Sequence, residues 1–117
     1  MPGGPERGDN AGERGTRSPP PHLFTAWVDV DRPDGRLFAF CAMVTDRPAD
    51  LVDRVVGRYG AEAAAQARFA TGFDHSEPLA TAMVSDAMAD TLAFAAADPE
   101  SPLALGLDVV VEQRFVA

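Results

Sequence analysis

The segment over residues 36–44 restricts the fold of this chain more than any other, because it is apolar on both sides of an extended backbone. Successive side chains of a β-strand point to opposite faces. One face of this strand carries Leu37, Ala39, Cys41 and Met43, and the other carries Phe38, Phe40, Ala42 and Val44. A strand of this composition is buried on both faces, so the sequence predicts that it lies in the middle of a sheet.

A second strand precedes it and pairs with it in a hairpin. Residues 22–31 alternate, with Phe24, Ala26, Val28 and Val30 on one face and Thr25, Trp27, Asp29 and Asp31 on the other. Such alternation is typical of a half-buried strand. The sequence Arg32-Pro33-Asp34-Gly35 then places proline where a turn needs its fixed φ, and glycine where φ can be positive.

Two helices and a closing strand follow the hairpin. The first helix is predicted from Pro48 through the alanine-rich residues 61–70, and Pro48 fits the first turn because that turn needs no N–H from it. The second is predicted from Pro78 to the proline-containing residues 98–102. Residues 103–115 alternate again and predict a long strand.

The predicted order is therefore ββααβ, an α+β fold with a three-stranded, mostly antiparallel sheet and both helices packed on one face. Two helices on one face leave the other face of the sheet open and apolar, and such a face commonly pairs with another copy of the chain. We therefore expect a homodimer through the open sheet face. The side chains predicted for this interface are Trp27, Phe38, Phe40, Val44 and Val110.

Residues 1–21 differ in composition from the rest of the chain. They contain glycine, proline and balanced charges with almost no apolar side chain, so they cannot offset the entropy cost of ordering. The sequence predicts a disordered tail over residues 1–21 and a single compact domain over residues 22–117. The whole net charge of −8 falls in that domain.

Charge and cysteine content limit the partners and the compartment. An acidic chain lacks the basic patch that nucleic acid phosphates and anionic lipids require, so we expect no direct contact with nucleic acid or membrane. The single cysteine, Cys41, allows no disulfide within the chain, and no apolar run is long enough to cross a bilayer. We expect a small acidic protein of the cytoplasm.

Asp74, His75 and Glu77 form the one cluster of side chains suited to general acid–base chemistry, in a loop before the second helix. No nucleophile or further ligand is spaced to complete a catalytic triad or a zinc site around them. The loop is a candidate site, but the sequence names no reaction. We expect no cofactor.

Two other candidates fail on chemistry. Asp29, Asp31 and Asp34 lack the spacing of a calcium-binding loop, so we interpret them as acidic residues at the end of the hairpin, and we expect no metal site. Cys41 lies among apolar neighbours with no basic residue beside it in sequence, which predicts an inert buried thiol.

Three classes of function are compatible with these features. The first is a non-catalytic protein-interaction module, homodimeric through its open sheet face, whose acidic exterior binds another protein. The second is an acidic inhibitor or immunity-like protein that occupies the basic groove of a partner by presenting Asp50, Asp53, Asp86 and Asp90. The third is a small enzyme or ligand-binding fold with a site near Asp74 and His75. The missing catalytic chemistry favours the first class over an enzyme.

Overall fold

The computed structural model describes residues 19–116, which form a four-stranded antiparallel sheet and four helices. In chain order the elements are β1 (His22–Arg32), β2 (Gly35–Thr45), α1 (Pro48–Tyr59), α2 (Ala61–Gln66), β3 (Arg68–Thr71), α3 (Pro78–Met83), α4 (Asp86–Ala97) and β4 (Asp108–Val116). The strand order across the sheet is β3-β1-β2-β4. The α+β class is confirmed, but the prediction of three strands is wrong, because β3 adds a fourth.

The predicted hairpin is present. β1 and β2 pair over their full lengths, from His22 opposite Thr45 to Arg32 opposite Gly35. Pro33-Asp34 forms the turn, and Gly35 has a φ of 144°, a backbone conformation that residues with a Cβ rarely adopt. β2 is a central strand because β1 lies on one side of it and β4 on the other.

Both faces of the sheet are covered, and the expectation of an open face is wrong. α1 and α2 pack on the face that carries Ala26, Val28, Ala39 and Cys41. α3 and α4 pack on the face that carries Leu23, Phe40, Ala42 and Val44. Each face is therefore buried by its own pair of short helices, rather than one face being buried by two long ones.

Breaks within the two predicted helices produce these pairs. Gly60, with a φ of 95°, separates α1 from α2. The following residues 68–71 leave the helix and pair as β3 with the outer edge of β1. Between α3 and α4 the backbone is extended at Val84, and Ser85 caps α4 by accepting a hydrogen bond from the backbone N–H of Met88 at 3.2 Å.

The chain crosses from one face of the sheet to the other directly after β3. The backbone N–H of Gly72 donates to the carbonyl of Leu23 at 2.8 Å, which extends the pairing of β3 with β1 by one residue. Phe73 then packs into the core under α3 and α4. The loop with Asp74, His75 and Glu77 therefore lies at the edge of the sheet, between β3 and α3.

Of the predicted tail over residues 1–21, residues 1–18 lie outside the described residues. Its last three residues lack regular secondary structure and precede β1. Across residues 19–116, no helix combines the length and the apolar content needed to cross a membrane.

Candidate functional site

Trp27 lies in the middle of β1, on the face covered by α3 and α4. Its ring packs on Phe40 with 4.5 Å between ring centroids and 45° between ring planes. Phe73 also packs on Phe40, edge-on, with 5.7 Å between ring centroids. Phe40 is fully buried and Trp27 is half-buried, so the indole is braced by the core and still reaches the surface.

The Asp74 loop is held by its own hydrogen bonds. Asp74 Oδ1 accepts from the backbone N–H of Ser76 at 2.8 Å and from its hydroxyl at 2.6 Å. These two bonds, of which the bond from the hydroxyl has the larger effect, hold the pKa of Asp74 below its ordinary value. The carboxylate is therefore charged at neutral pH. The ring of His75 packs edge-on against Phe73 at 5.1 Å.

Glu77 closes the loop by pairing with β3. Its Oε2 lies 3.3 Å from Nη1 of Arg68, and the Glu77 side chain is the less exposed of the two. At the start of the loop, the buried hydroxyl of Thr25 on β1 donates to the carbonyl of Gly72 at 3.0 Å. The loop is thus fixed to the sheet at both of its ends.

A cleft of about 700 Å³ lies between β3, this loop and α4. We call it the β3 cleft, and it is lined by Thr25, Trp27, Arg68, Phe69, Ala70, Thr71, Gly72, Phe73, Asp74, Glu77 and Ala96. Of the residues singled out in the sequence, the structure brings Trp27, Asp74 and Glu77 together here. His75 packs behind Phe73 and does not line the cleft.

The walls of the β3 cleft combine aromatic rings with charged side chains, a composition typical of small-molecule sites. Cys41 does not take part: it is buried on the opposite face of the sheet, where desolvation raises its pKa to about 11. Within residues 19–116, no three His, Cys, Asp or Glu side chains are grouped so that they could hold a metal ion.

The predicted interface residues are scattered. Phe40 and Val44 are buried beneath α3 and α4, so neither can reach a partner in this fold. Val110 packs on the opposite face, against the cluster under α1 and α2. Phe38 is half-buried near the hairpin end of the sheet, where its ring packs edge-on against Phe115 of β4 at 5.4 Å.

The acidic residues proposed to act together as an inhibitor surface are also separated. Asp50 and Asp53 belong to α1, and Asp86 and Asp90 belong to α4, on opposite faces of the sheet. Asp50 is additionally paired with Arg47 at 3.2 Å. These four carboxylates cannot occupy one groove of a partner.

Ion pairs between α1 and β4 fasten the first helix to the sheet. Arg54 forms a two-bond pair with Asp108, and Arg58 lies 3.4 Å from Glu112. The Tyr59 hydroxyl donates to Glu112 at 2.6 Å, which holds the pKa of Glu112 down, while burial together with this bond raises the pKa of Tyr59 to about 12. This network is structural, because every member is paired within the chain.

The charge is divided unevenly between the two sides of the sheet. Residues 72–107, which contain α3 and α4, hold six acidic residues and no lysine or arginine. The overall composition does not reveal this segregation, but the long interval without arginine between Arg68 and Arg114 does. On the α4 side, the exposed residues Asp86, Asp90, Phe94, Asp98, Glu100, Leu103 and Leu105 define what we call the α4 surface.

The α4 surface combines exposed carboxylates with exposed apolar groups. Asp86, Asp90 and Phe94 are four residues apart and share one side of α4. Among the described residues, none of its four carboxylates takes part in an ion pair. Phe94 is 44% exposed and Leu103, in the turn after α4, is 82% exposed.

In comparisons with known proteins, no protein-family model, no curated protein and no solved structure matches the chain.

Proposed function

We propose that this protein is a non-catalytic interaction module that binds a basic partner protein through the α4 surface. The observation that carries the proposal is the segregation of charge: residues 72–107, which contain α3 and α4, hold six acidic residues and no lysine or arginine. Arg54 and Arg58 pair with Asp108 and Glu112 of β4 on the α1 side, so they do not neutralise these six residues.

The α4 surface has the composition of a protein-binding site. Interfaces commonly centre on apolar and aromatic anchors, with charged groups at the rim that orient the partner and speed its approach. The apolar anchors are Phe94, Leu103 and Leu105, and the neighbouring carboxylates provide the negative charges that orient a basic partner. A partner that fits presents arginine or lysine around an apolar depression.

A charge-matched pair of double variants tests the proposal. The first combines Asp86→Asn with Asp90→Asn on the α4 surface. The second combines Asp53→Asn with Glu62→Gln, two exposed carboxylates on the α1 and α2 side. Immobilised wild type and the control should retain the same basic protein from an extract of the expressing cells, and the α4 variant should lose it.

Salt supplies the second readout. Because the attraction acts between exposed charges, raising the ionic strength from about 50 mM to about 500 mM should weaken retention by wild type. Equal retention by both double variants, at either ionic strength, would refute a role for the α4 surface.

The inhibitor or immunity-like function remains a second candidate in a narrower form, because the α4 surface alone can occupy a basic groove. It is favoured if the captured partner is a nucleic-acid-binding enzyme and a DNA or RNA oligonucleotide competes with this protein for it. Lack of competition leaves the partner an ordinary basic protein.

Self-association is part of the proposal, but through a surface other than an open sheet face. Two α4 surfaces would repel each other, whereas Phe38 and Phe115 present aromatic rings where the hairpin and β4 end. We expect Phe115→Asp to convert a dimer into a folded monomer, and Phe94→Asp, which adds the same charge elsewhere, to leave it dimeric. Light scattering that shows wild type as a monomer at high micromolar concentration would refute self-association.

A further inference from the structure

The β3 cleft has two rigid aromatic walls. Trp27 and Phe73 both pack on the buried ring of Phe40, at 4.5 and 5.7 Å between ring centroids. Neither ring can turn away without disturbing the core, because Phe40 is fully buried beneath α4. A flat apolar group that enters the cleft therefore meets surfaces that are already in place, and preorganised contacts cost little ordering entropy on binding.

The charges of the cleft do not cancel. The one cationic side chain that lines it, Arg68, is paired with Glu77. Asp74 remains, and only its Oδ1 is used within the loop, by the two donors of Ser76. Among the described residues no donor reaches the second oxygen of Asp74, so the lining carries one negative charge that is available to a ligand.

We infer that the β3 cleft binds a small aromatic ammonium compound. The aromatic body packs against Trp27 and Phe73, and the ammonium group donates to the free carboxylate oxygen of Asp74. Indole and phenyl faces attract cations in addition to providing apolar contact, so the same two rings stabilise both the aromatic body and the ammonium group of the ligand. The volume of about 700 Å³ is in the range of ordinary small-molecule sites.

This inference is independent of partner binding by the α4 surface. The cleft lies beside β3, and Ala96 is the member of α4 that lines it, whereas Asp86 and Asp90 are near the other end of that helix. Loss of ligand binding and loss of partner binding are therefore separable by variants on the two surfaces.

Three probes that share a phenyl ring and differ in charge test the ligand class: phenethylamine, 2-phenylethanol and 3-phenylpropionate. Trp27 is the one tryptophan of the chain, so its fluorescence reports directly on the cleft. We expect saturable quenching by the amine, about tenfold weaker binding of the neutral alcohol, and weaker binding still of the carboxylate, as a charge-assisted hydrogen bond requires. Calorimetry provides a readout that does not depend on Trp27.

Asp74→Asn is the decisive variant, because an asparagine side-chain oxygen still accepts from Ser76 and preserves the loop. It should reduce affinity for the amine about tenfold and leave affinity for the alcohol unchanged. Asp53→Asn, which removes the same charge on α1, outside both the cleft and the α4 surface, should change neither. Circular dichroism confirms that both variants are folded.

Three outcomes would overturn the inference. The first is the absence of saturable amine binding up to about 10 mM. The second is equal affinity for the amine and the alcohol in wild type. The third is equal amine affinity of wild type and Asp74→Asn. Each would show that the aromatic walls and the Asp74 carboxylate do not act together on a cation.

Discussion

Truncation of Phe40 tests the central feature of the architecture, that both faces of the sheet are covered within one chain. Phe40 is 0% exposed and contacts the rings of Trp27 and Phe73. Replacing a fully buried phenylalanine by alanine typically costs about 3–5 kcal/mol, since transfer free energy is lost and a cavity remains. We expect Phe40→Ala to reduce the free energy of unfolding by that amount.

Phe94→Ala is the matched control. It deletes the same atoms from a ring that is 44% exposed, so we expect a loss of about 1 kcal/mol or less. Urea denaturation, followed by circular dichroism as well as by Trp27 fluorescence, measures both variants. Circular dichroism is needed because the deletion changes the surroundings of Trp27 directly.

Equal losses for the two variants would refute the reasoning, because Phe40 would then have to be as accessible to water as Phe94. A second refuting pattern is an unfolding midpoint of the Phe115→Asp variant, expected to be monomeric, that still rises with protein concentration in parallel with a large Phe40→Ala effect. That result would mean that another copy of the chain, rather than α3 and α4, covers this face.

Further predictions concern the backbone, the loop anchor and the buried thiol. Gly60→Ala should lower the free energy of unfolding by about 1–3 kcal/mol, because φ 95° and ψ 162° are strained for any residue with a Cβ. Gly57→Ala inside α1 should instead raise the free energy of unfolding by about 0.5–1 kcal/mol. A Cβ at either position meets no other atom within 4 Å, so urea denaturation of the two variants isolates the backbone effect. Thr25→Val should cost about 1–3 kcal/mol in the same assay, because the carbonyl of Gly72 loses its buried donor. The raised pKa of Cys41, about 11 in the fold against 9.0 without burial, means that the unfolded chain releases its proton first as the pH rises. Stability should therefore be full below about pH 9 and fall between pH 9 and 11, and a Cys41→Ala variant that falls as steeply would contradict this.

Much of the sheet could be predicted because its signals are local. Alternation over residues 22–31, the turn Pro33-Asp34 and the positive φ of Gly35 all act within a few residues, and the hairpin follows from them. The central position of β2 follows from its two apolar faces. The class of the fold needed no information from distant parts of the chain.

The candidate site was only partly predictable. Trp27, Asp74 and Glu77 were each singled out in the sequence, but their proximity depends on where β3 and α3 lie, which is a tertiary property. Arg68 and Phe73 were missed. Phe73 carries a signal in retrospect, since it is a large apolar residue inside an otherwise polar loop, and such residues commonly anchor loops to a core.

β3 was missed because the alanine-rich residues before it favour helix and its partner strand is remote in sequence. Residues 68–71 follow an alanine-rich segment that favours helix, and the four of them become a strand by hydrogen bonding to the outer edge of β1. Pairing with a strand more than 40 residues away in sequence overrides propensity, as the register Trp27 opposite Arg68 shows.

The missed strand and the wrong arrangement of layers have a single cause. A chain whose helices α1 and α2 pack on one face must pass an edge of the sheet before further helices can reach the other face, and β3 occupies that edge. Interpreted as helix, residues 68–70 keep the chain on one side of the sheet, which places both helices on one face and leaves the other face open. Interpreted as an edge strand, they carry the chain across, and the two apolar faces of β2 are then satisfied without a second copy. The same crossing places the Asp74 loop beside Trp27, so the error in the fold also concealed the cleft.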